Sequence, residues 1–257
     1  MKEYFTLIFL IVAFQFSNAQ DSIPTISTDR PSAGYSSSRV AYKYLQIETG
    51  GIYEELEDNQ FKQNAYTYNT TLLRYGLLEN LEINAGWGFR QIEPQERDQP
   101  QLSGFSPITL GAKVGVTEQM GWVPKMTLFS QLTFPFGASS DFKNETTGVD
   151  VRMLMSSTLS SNSSLSYNLG VINWLTDSGE ASYVYTFAYS YSFTERFGGF
   201  AEVYGSLPED SRANHSWDAG LTYLIKNNLQ VDLLVGTGFN TTQNYQVAAG
   251  LSYLLPK

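Results

Sequence analysis

The sequence contains no cysteine. It therefore forms no disulfide, offers no thiol for lipid attachment and supplies no thiolate to a metal. It holds one histidine, His215, which alone cannot make a zinc site or a convincing nucleophile–base pair. Charge is scarce: Asp, Glu, Lys and Arg make up 16% of the chain, against roughly 25% in soluble domains. Positive charge is scarcer still, 16 Lys and Arg against 25 Asp and Glu, a formal net charge of −9. That argues against a nucleic-acid partner, which requires basic surface. Beyond the N-terminus no stretch approaches the ~18 consecutive apolar residues that a spanning helix needs. A secreted soluble β protein and a membrane β-barrel both survive these exclusions.

The first 19 residues read as a signal peptide. Lys2 is a short basic region, Phe5 to Phe16 is mostly apolar, and Ser17-Asn18-Ala19 places small residues before a cut after Ala19. The mature chain is expected to begin near Gln20 and to leave the cytoplasm.

What the sequence has in abundance is aromatic side chains, 14% of the chain, set in strict alternation. Leu81, Ile83, Ala85, Trp87 and Phe89 alternate with Glu82, Asn84, Gly86, Gly88 and Arg90. A strand sends alternate side chains to opposite faces, so this segment has one apolar face and one polar or bare face. Tyr183, Tyr185, Phe187, Tyr189, Tyr191 and Phe193 share a face opposite mostly Ser, Thr and Ala. Such an aromatic row is hard to bury in a small soluble core and suits a lipid-facing wall with its interfacial belts. Trp87, Trp122, Trp174 and Trp217 read as interface anchors.

About twelve such strands are expected between Tyr44 and Leu255. Their connections alternate in length. Leu78-Glu79-Asn80, Ser161-Asn162-Ser163, Thr194-Glu195-Arg196 and Lys226-Asn227-Asn228 are short, and Glu118 to Val123 is a longer member of that set. Residues 56–64, 92–104, 137–148, 176–180, 207–213 and 240–244 form the longer, more polar set. Outer-membrane barrels show this parity, with short periplasmic turns and longer extracellular loops. The expected fold is all-β: one antiparallel transmembrane barrel in the cell outer membrane of a Gram-negative bacterium. Its expected divisions are a signal peptide (1–19), a periplasmic N-terminal segment or small plug (20–42) and the barrel (43–257). Tyr75-x-x-x-x-Asn80-Leu81-Glu82-Ile83 is echoed by Tyr223-x-x-x-x-Asn228-Leu229-Gln230-Val231, which reads as shared turn chemistry.

Several motifs carry a family resemblance. Ser27-Thr28-Asp29-Arg30-Pro31-Ser32, Leu45-Gln46-Ile47-Glu48-Thr49-Gly50 and Thr71-Leu72-Leu73-Arg74-Tyr75-Gly76-Leu77 are three of them. Ile108-Thr109-Leu110-Gly111-Ala112-Lys113, Trp122-Val123-Pro124 and Leu132-Thr133-Phe134-Pro135-Phe136-Gly137 continue the match. The chain resembles the outer-membrane transporter family associated with the meta-pathway of phenol degradation. The resemblance implies a barrel and transport of small solutes, hydrophobic or aromatic compounds among them. Gly250-Leu251-Ser252-Tyr253-Leu254-Leu255 is similar to the C-terminal signal read by the barrel assembly machinery, although Pro256-Lys257 follows it.

Strand register places Glu48, Arg74, Glu82, Arg90, Lys113, Lys125, Asp150, Arg152, Glu202, Asp218 and Asp232 inside. Twelve strands at the usual tilt enclose a backbone radius of roughly 12 Å, so opposing side chains leave a narrow pore or none. These charges either fill and rigidify the lumen or set selectivity, with Arg74, Arg90, Lys113 and Arg152 facing anionic or aromatic solutes. Asp29 and Arg30, stiffened by Pro31, belong either to a periplasmic tail or to a plug paired with lumen charges. Glu54-Glu55-Leu56-Glu57-Asp58 is a solvated loop or a bridge to lipopolysaccharide through divalent ions. The expected function is a channel for small solutes; the alternative is a closed structural or adhesion barrel acting through acidic loops. No enzymatic role, cofactor or resident metal is expected. The expected partners are outer-membrane lipid and lipopolysaccharide, the assembly machinery and a small-molecule solute.

Overall fold

The computed structural model describes residues 23–58, 61–96, 99–173 and 181–256. The expected signal peptide, Trp174 and the whole 176–180 loop lie outside the described residues. The strands are β1 (Leu45–Asp58), β2 (Phe61–Leu78), β3 (Leu81–Pro94), β4 (Leu102–Phe105), β5 (Ile108–Thr117), β6 (Lys125–Phe134) and β7 (Gly148–Thr158). They continue with β8 (Ser163–Ile172), β9 (Ser182–Ser192), β10 (Phe197–Pro208), β11 (Asn214–Lys226), β12 (Leu229–Gly238) and β13 (Gln243–Leu254). Every strand pairing is antiparallel and joins sequence neighbours, except that β3 pairs with β5 as well as β4 and that β13 returns to β1, with Gly50 opposite Gly250. That closure removes both sheet edges, as a wall in hydrocarbon must.

The wall has twelve positions because β4 and β5 share one. β5 pairs with Leu81–Gly86 of β3, and β4 takes over higher up, with Phe89 opposite Phe105. Ser106-Pro107 separates them, and proline lacks the amide a ladder needs. The sequence reading placed all of 92–104 in a loop. Four residues between prolines give too little alternation to read as a strand. Proline also explains why β6 stops at Phe134, two residues before the expected end at Phe136. The Tyr75 and Tyr223 motifs lead into matching irregularities. The β2–β3 register slips between Gly76 and Leu78, and the β11–β12 register slips between Leu224 and Lys226.

Burial is inverted relative to a soluble protein. Ile83, Trp87, Leu110, Leu128, Leu169, Phe187, Tyr189, Leu221, Leu233 and Val247 are exposed on the outside. Glu48, Arg74, Glu82, Lys113 and Asp218 are buried inside. An apolar outer belt over a polar interior is stable only with lipid around it. The short turns at 79–80, 159–162, 193–196 and 227–228 mark the periplasmic end.

Candidate functional site

Residues 26–40 run inside the barrel as a two-legged insert. The amide of Ile26 donates to the Asn227 carbonyl at a periplasmic turn (2.7 Å). There Ile26, Val40, Tyr44 and Leu254 form an apolar cluster, joined by Ile23, Ala41 and Leu224. At this end of the lumen the insert is held by hydrophobic burial of the ordinary kind. Gly76 makes it possible: a Cβ there would collide with the Val40–Ala41 backbone. Lys43, at φ 66°, turns the chain from the insert into β1.

Above that cluster, one wall grips the insert through charge. The Arg74 fork closes on Glu82 (Nε–Oε1 2.8 Å, Nη2–Oε2 2.9 Å), and Nη1 reaches Glu48 at 2.7 Å. Arg74 also donates to the Ser27 and Ser38 carbonyls, one on each leg. Glu48 accepts the amides of Asp29 and Arg30, both at 3.0 Å, and Glu82 accepts that of Val40 at 2.8 Å. Lys113 Nζ sits on both Asp29 oxygens, at 2.6 and 2.8 Å, and on the Ser36 carbonyl. Burial pushes the Asp29 carboxyl up, but Arg74 and Lys113 outweigh it and hold it below its ordinary 3.8. Arg30 lies against the bare pair Gly50 and Gly250, from which Nη2 reaches Asp232 at 3.1 Å and Nη1 reaches Thr70 at 2.8 Å.

The opposite wall holds the insert more lightly. Glu202 accepts the Ser32 hydroxyl (2.8 Å) and the amides of Ala33 (2.8 Å) and Gly34 (3.1 Å). Asn168 accepts the Tyr35 amide (2.7 Å) and donates to the Tyr35 carbonyl (3.1 Å). The Tyr35 ring packs on Phe129 with centroids 4.4 Å apart, beneath the Arg152 guanidinium at 5.0 Å. Gly34 is the tight point, since a Cβ there would press on Thr186, Glu202 and Asn168.

Two chambers flank this apex. The outer one, about 500 Å³, is lined by Ala33, Glu54, Arg90, Arg152, Tyr204 and Ser216 among others. The inner one, about 250 Å³, is lined by Ser32, Gly34, Ser166, Asn168, Ser190 and Glu202 among others. Thr186 lines both, so the partition is about one chain thick.

The structure brings together Asp29, Glu48, Arg74, Glu82 and Lys113 in one network. Arg30 and Asp232 form a separate pair. Arg152 closes on Asp150 two residues earlier on the same strand (2.7 Å), and Arg90 sits at the outer mouth on Glu54 (3.2 Å). Lys125 lies at the periplasmic end on Glu118 (3.5 Å). Sequence reasoning missed Asn168, the hydroxyls and amides of 32–37, and the part played by the inward glycines. Alternation alone signals Asn168, a polar residue between Tyr167 and Leu169.

A closed antiparallel barrel with a lipid-facing apolar belt and a charge-lined lumen is an outer-membrane β-barrel. Residues 28–255 match the family model described as "Putative MetA-pathway of phenol degradation", and the chain belongs to that family. Among curated proteins, none matches the sequence. Its fold is similar to that of an outer membrane channel from Pseudomonas putida F1, with TM-score 0.75 and 11% identity, covering 88% of this chain and 100% of that one. The KdgM porin in complex with disordered oligogalacturonate shares the fold at TM-score 0.56 and 9% identity, covering 82% and 99%. The CymD monoaromatic hydrocarbon channel does so at TM-score 0.50 and 11% identity, covering 85% and 89%.

Proposed function

We propose that the protein is a channel for passive passage of small solutes across the outer membrane, with residues 26–40 as its plug. The observation that carries this reading is the pair of chambers, one from each mouth, parted by the turn at Ser32–Tyr35. A barrel built only as a scaffold gains nothing from two polar spaces that approach each other. Family membership and the named substrate of the CymD channel make small aromatic compounds the first solutes to try. On this reading the turn at Ser32–Tyr35, which parts the two chambers, is the element that moves to let a solute pass.

The alternative is a closed barrel working through its acidic loops. It draws support from Phe129, which packs on Tyr35, and from Leu154, both buried on the inner face. Single-channel recording of the refolded protein separates the two, with and without residues 20–39. The plugged channel predicts small or rare openings in the full chain and steady, larger steps after deletion. A folded barrel silent in both forms would refute the channel.

A further inference from the structure

Every basic side chain that faces the lumen is already closed on a carboxylate. Arg30 sits on Asp232, Arg74 on Glu48 and Glu82, Arg90 on Glu54, Lys113 on Asp29, and Arg152 on Asp150. Two inward acids have no such partner among the described residues. Glu202 is satisfied by neutral donors only, the Ser32 hydroxyl and two amides. Arg152 attracts it through space while its own fork stays on Asp150. Asp218 is fully buried, and neither of its carboxylate oxygens has any hydrogen-bond partner.

These two acids are adjacent. Glu202 of β10 stands directly opposite Asp218 of β11, which puts their Cβ atoms about 5 Å apart on one face. A buried carboxylate without a partner is among the costliest arrangements in a protein, and a second carboxylate beside it raises the cost. Such a pair is relieved either by a shared proton or by a bound cation. The surroundings supply neutral oxygens suited to a hard cation. Ser216 follows on the same inward face, and Tyr204 Oη accepts from Gln246 Nε2 at 3.1 Å. The bare Gly236 lies opposite Asp218 on β12, and the side chains over it are Asp218 itself and the amide of Gln246.

We propose that Asp218, with Glu202 beside it, is a cation site in the lumen wall that takes a monovalent ion at the partition. Its position supports this. Tyr204 and Ser216 line the outer chamber and Glu202 lines the inner one, with Asp218 between them. The arginines of the opposite wall are neutralised in place, so the uncompensated charge on the path is negative. Acidic groups at a constriction favour cations over anions. The inference rests on the channel reading, and its test keeps the two separable.

The experiment compares wild type, Asp218→Asn and a control, Asp141→Asn, in the exposed loop between β6 and β7. Folding is confirmed by heat-modifiable gel migration. Reversal potentials in a KCl gradient are expected to show K⁺ preferred over Cl⁻ in wild type and control, with the preference falling several-fold in Asp218→Asn. No preference in wild type, or an unchanged ratio in Asp218→Asn, overturns the site and leaves the channel standing. Unfolding midpoints in KCl and in N-methylglucamine chloride at equal ionic strength give a readout that needs no conduction. A bound ion stabilises by mass action. Wild type is expected to be more stable in KCl, and Asp218→Asn equally stable in both. Equal midpoints for wild type overturn the site even if the protein never conducts, as does the same K⁺ stabilisation in both proteins.

Discussion

The two walls of the lumen treat the same insert differently. On the β1–β3 and β5 side, five ionised groups interlock: Asp29, Glu48, Arg74, Glu82 and Lys113. On the β8–β11 side, the apex is held by one carboxylate and one amide side chain, and the space around it is hollow. The first wall has every Arg74 donor spoken for; the second leaves a carboxylate, Asp218, with none. On the channel reading proposed above, anchoring and passage fall to different sides. A plug held equally all round could leave only as a whole. One held this unevenly can swing its apex while both legs stay moored.

The largest effect should come from breaking the strong wall. Arg74→Ala strands Glu48 and Glu82 face to face, a loss of about 3–5 kcal/mol for a buried pair deprived of one partner. The unfolding midpoint in urea should fall accordingly, and protease should reach the insert. A mild loss would mean that water already enters this network and that the walls are not so different. Next, Leu221→Arg puts a charge on the lipid face of β11, for about 2–4 kcal/mol near the bilayer midplane. The same residue change in a water-exposed wall would cost almost nothing, so a null result would remove the membrane reading of the outer surface.

Acidification tests the strong wall by another route. Asp29 is held below its ordinary value of 3.8 by Arg74 and Lys113. A carboxyl depressed in the folded state adds stability above its ordinary value and loses it as the pH falls through the depressed one. The Asp29 contribution to the mooring should therefore persist at neutral and mildly acidic pH and be lost only in acid below its ordinary value. Cleavage of the 26–40 segment by an acid-tolerant protease across that range is the check. Release already at pH 5 to 6 would mean that some other group controls the mooring.

Much of this was legible in the sequence, and the reason is periodicity. Alternation over nine or more residues exposed each of the twelve wall positions, and the inward charges followed from register. β4 was not legible, because four residues between prolines carry too little pattern. The choice between tail and plug for 20–42 was not legible either. Asp29-Arg30-Pro31 says nothing about which amides Glu48 and Glu82 receive; that depends on where two strands put their carboxylates. Gly50, Gly76 and Gly250 looked like ordinary bare positions of a polar face. Their meaning appears only once the insert is seen lying on them. Pairing was the deepest gap. Arg74, Arg90, Lys113 and Arg152 read either as members of rigidifying pairs or as selectivity groups, because sequence shows a charge but not its partner.

The smallest expected stability effect is the most telling for the comparison. Asn168→Ala removes two hydrogen bonds to the Tyr35 backbone, a loss of about 1 kcal/mol per bond at most. The barrel should unfold within a few degrees of wild type, because Asn168 belongs to the weak wall and the ionic network is untouched. Its effect on conduction should be out of proportion. With the Tyr35 backbone freed, the apex keeps the Glu202 hydrogen bonds and the packing of the Tyr35 ring but loses one of its two hydrogen-bonding side chains, and the open fraction should rise. Arg74→Ala must show the opposite balance, with stability lost first and openings gained only as the protein fails. If Asn168→Ala leaves the open fraction unchanged while lowering stability as much as Arg74→Ala, the walls are equivalent and the insert moves as one body.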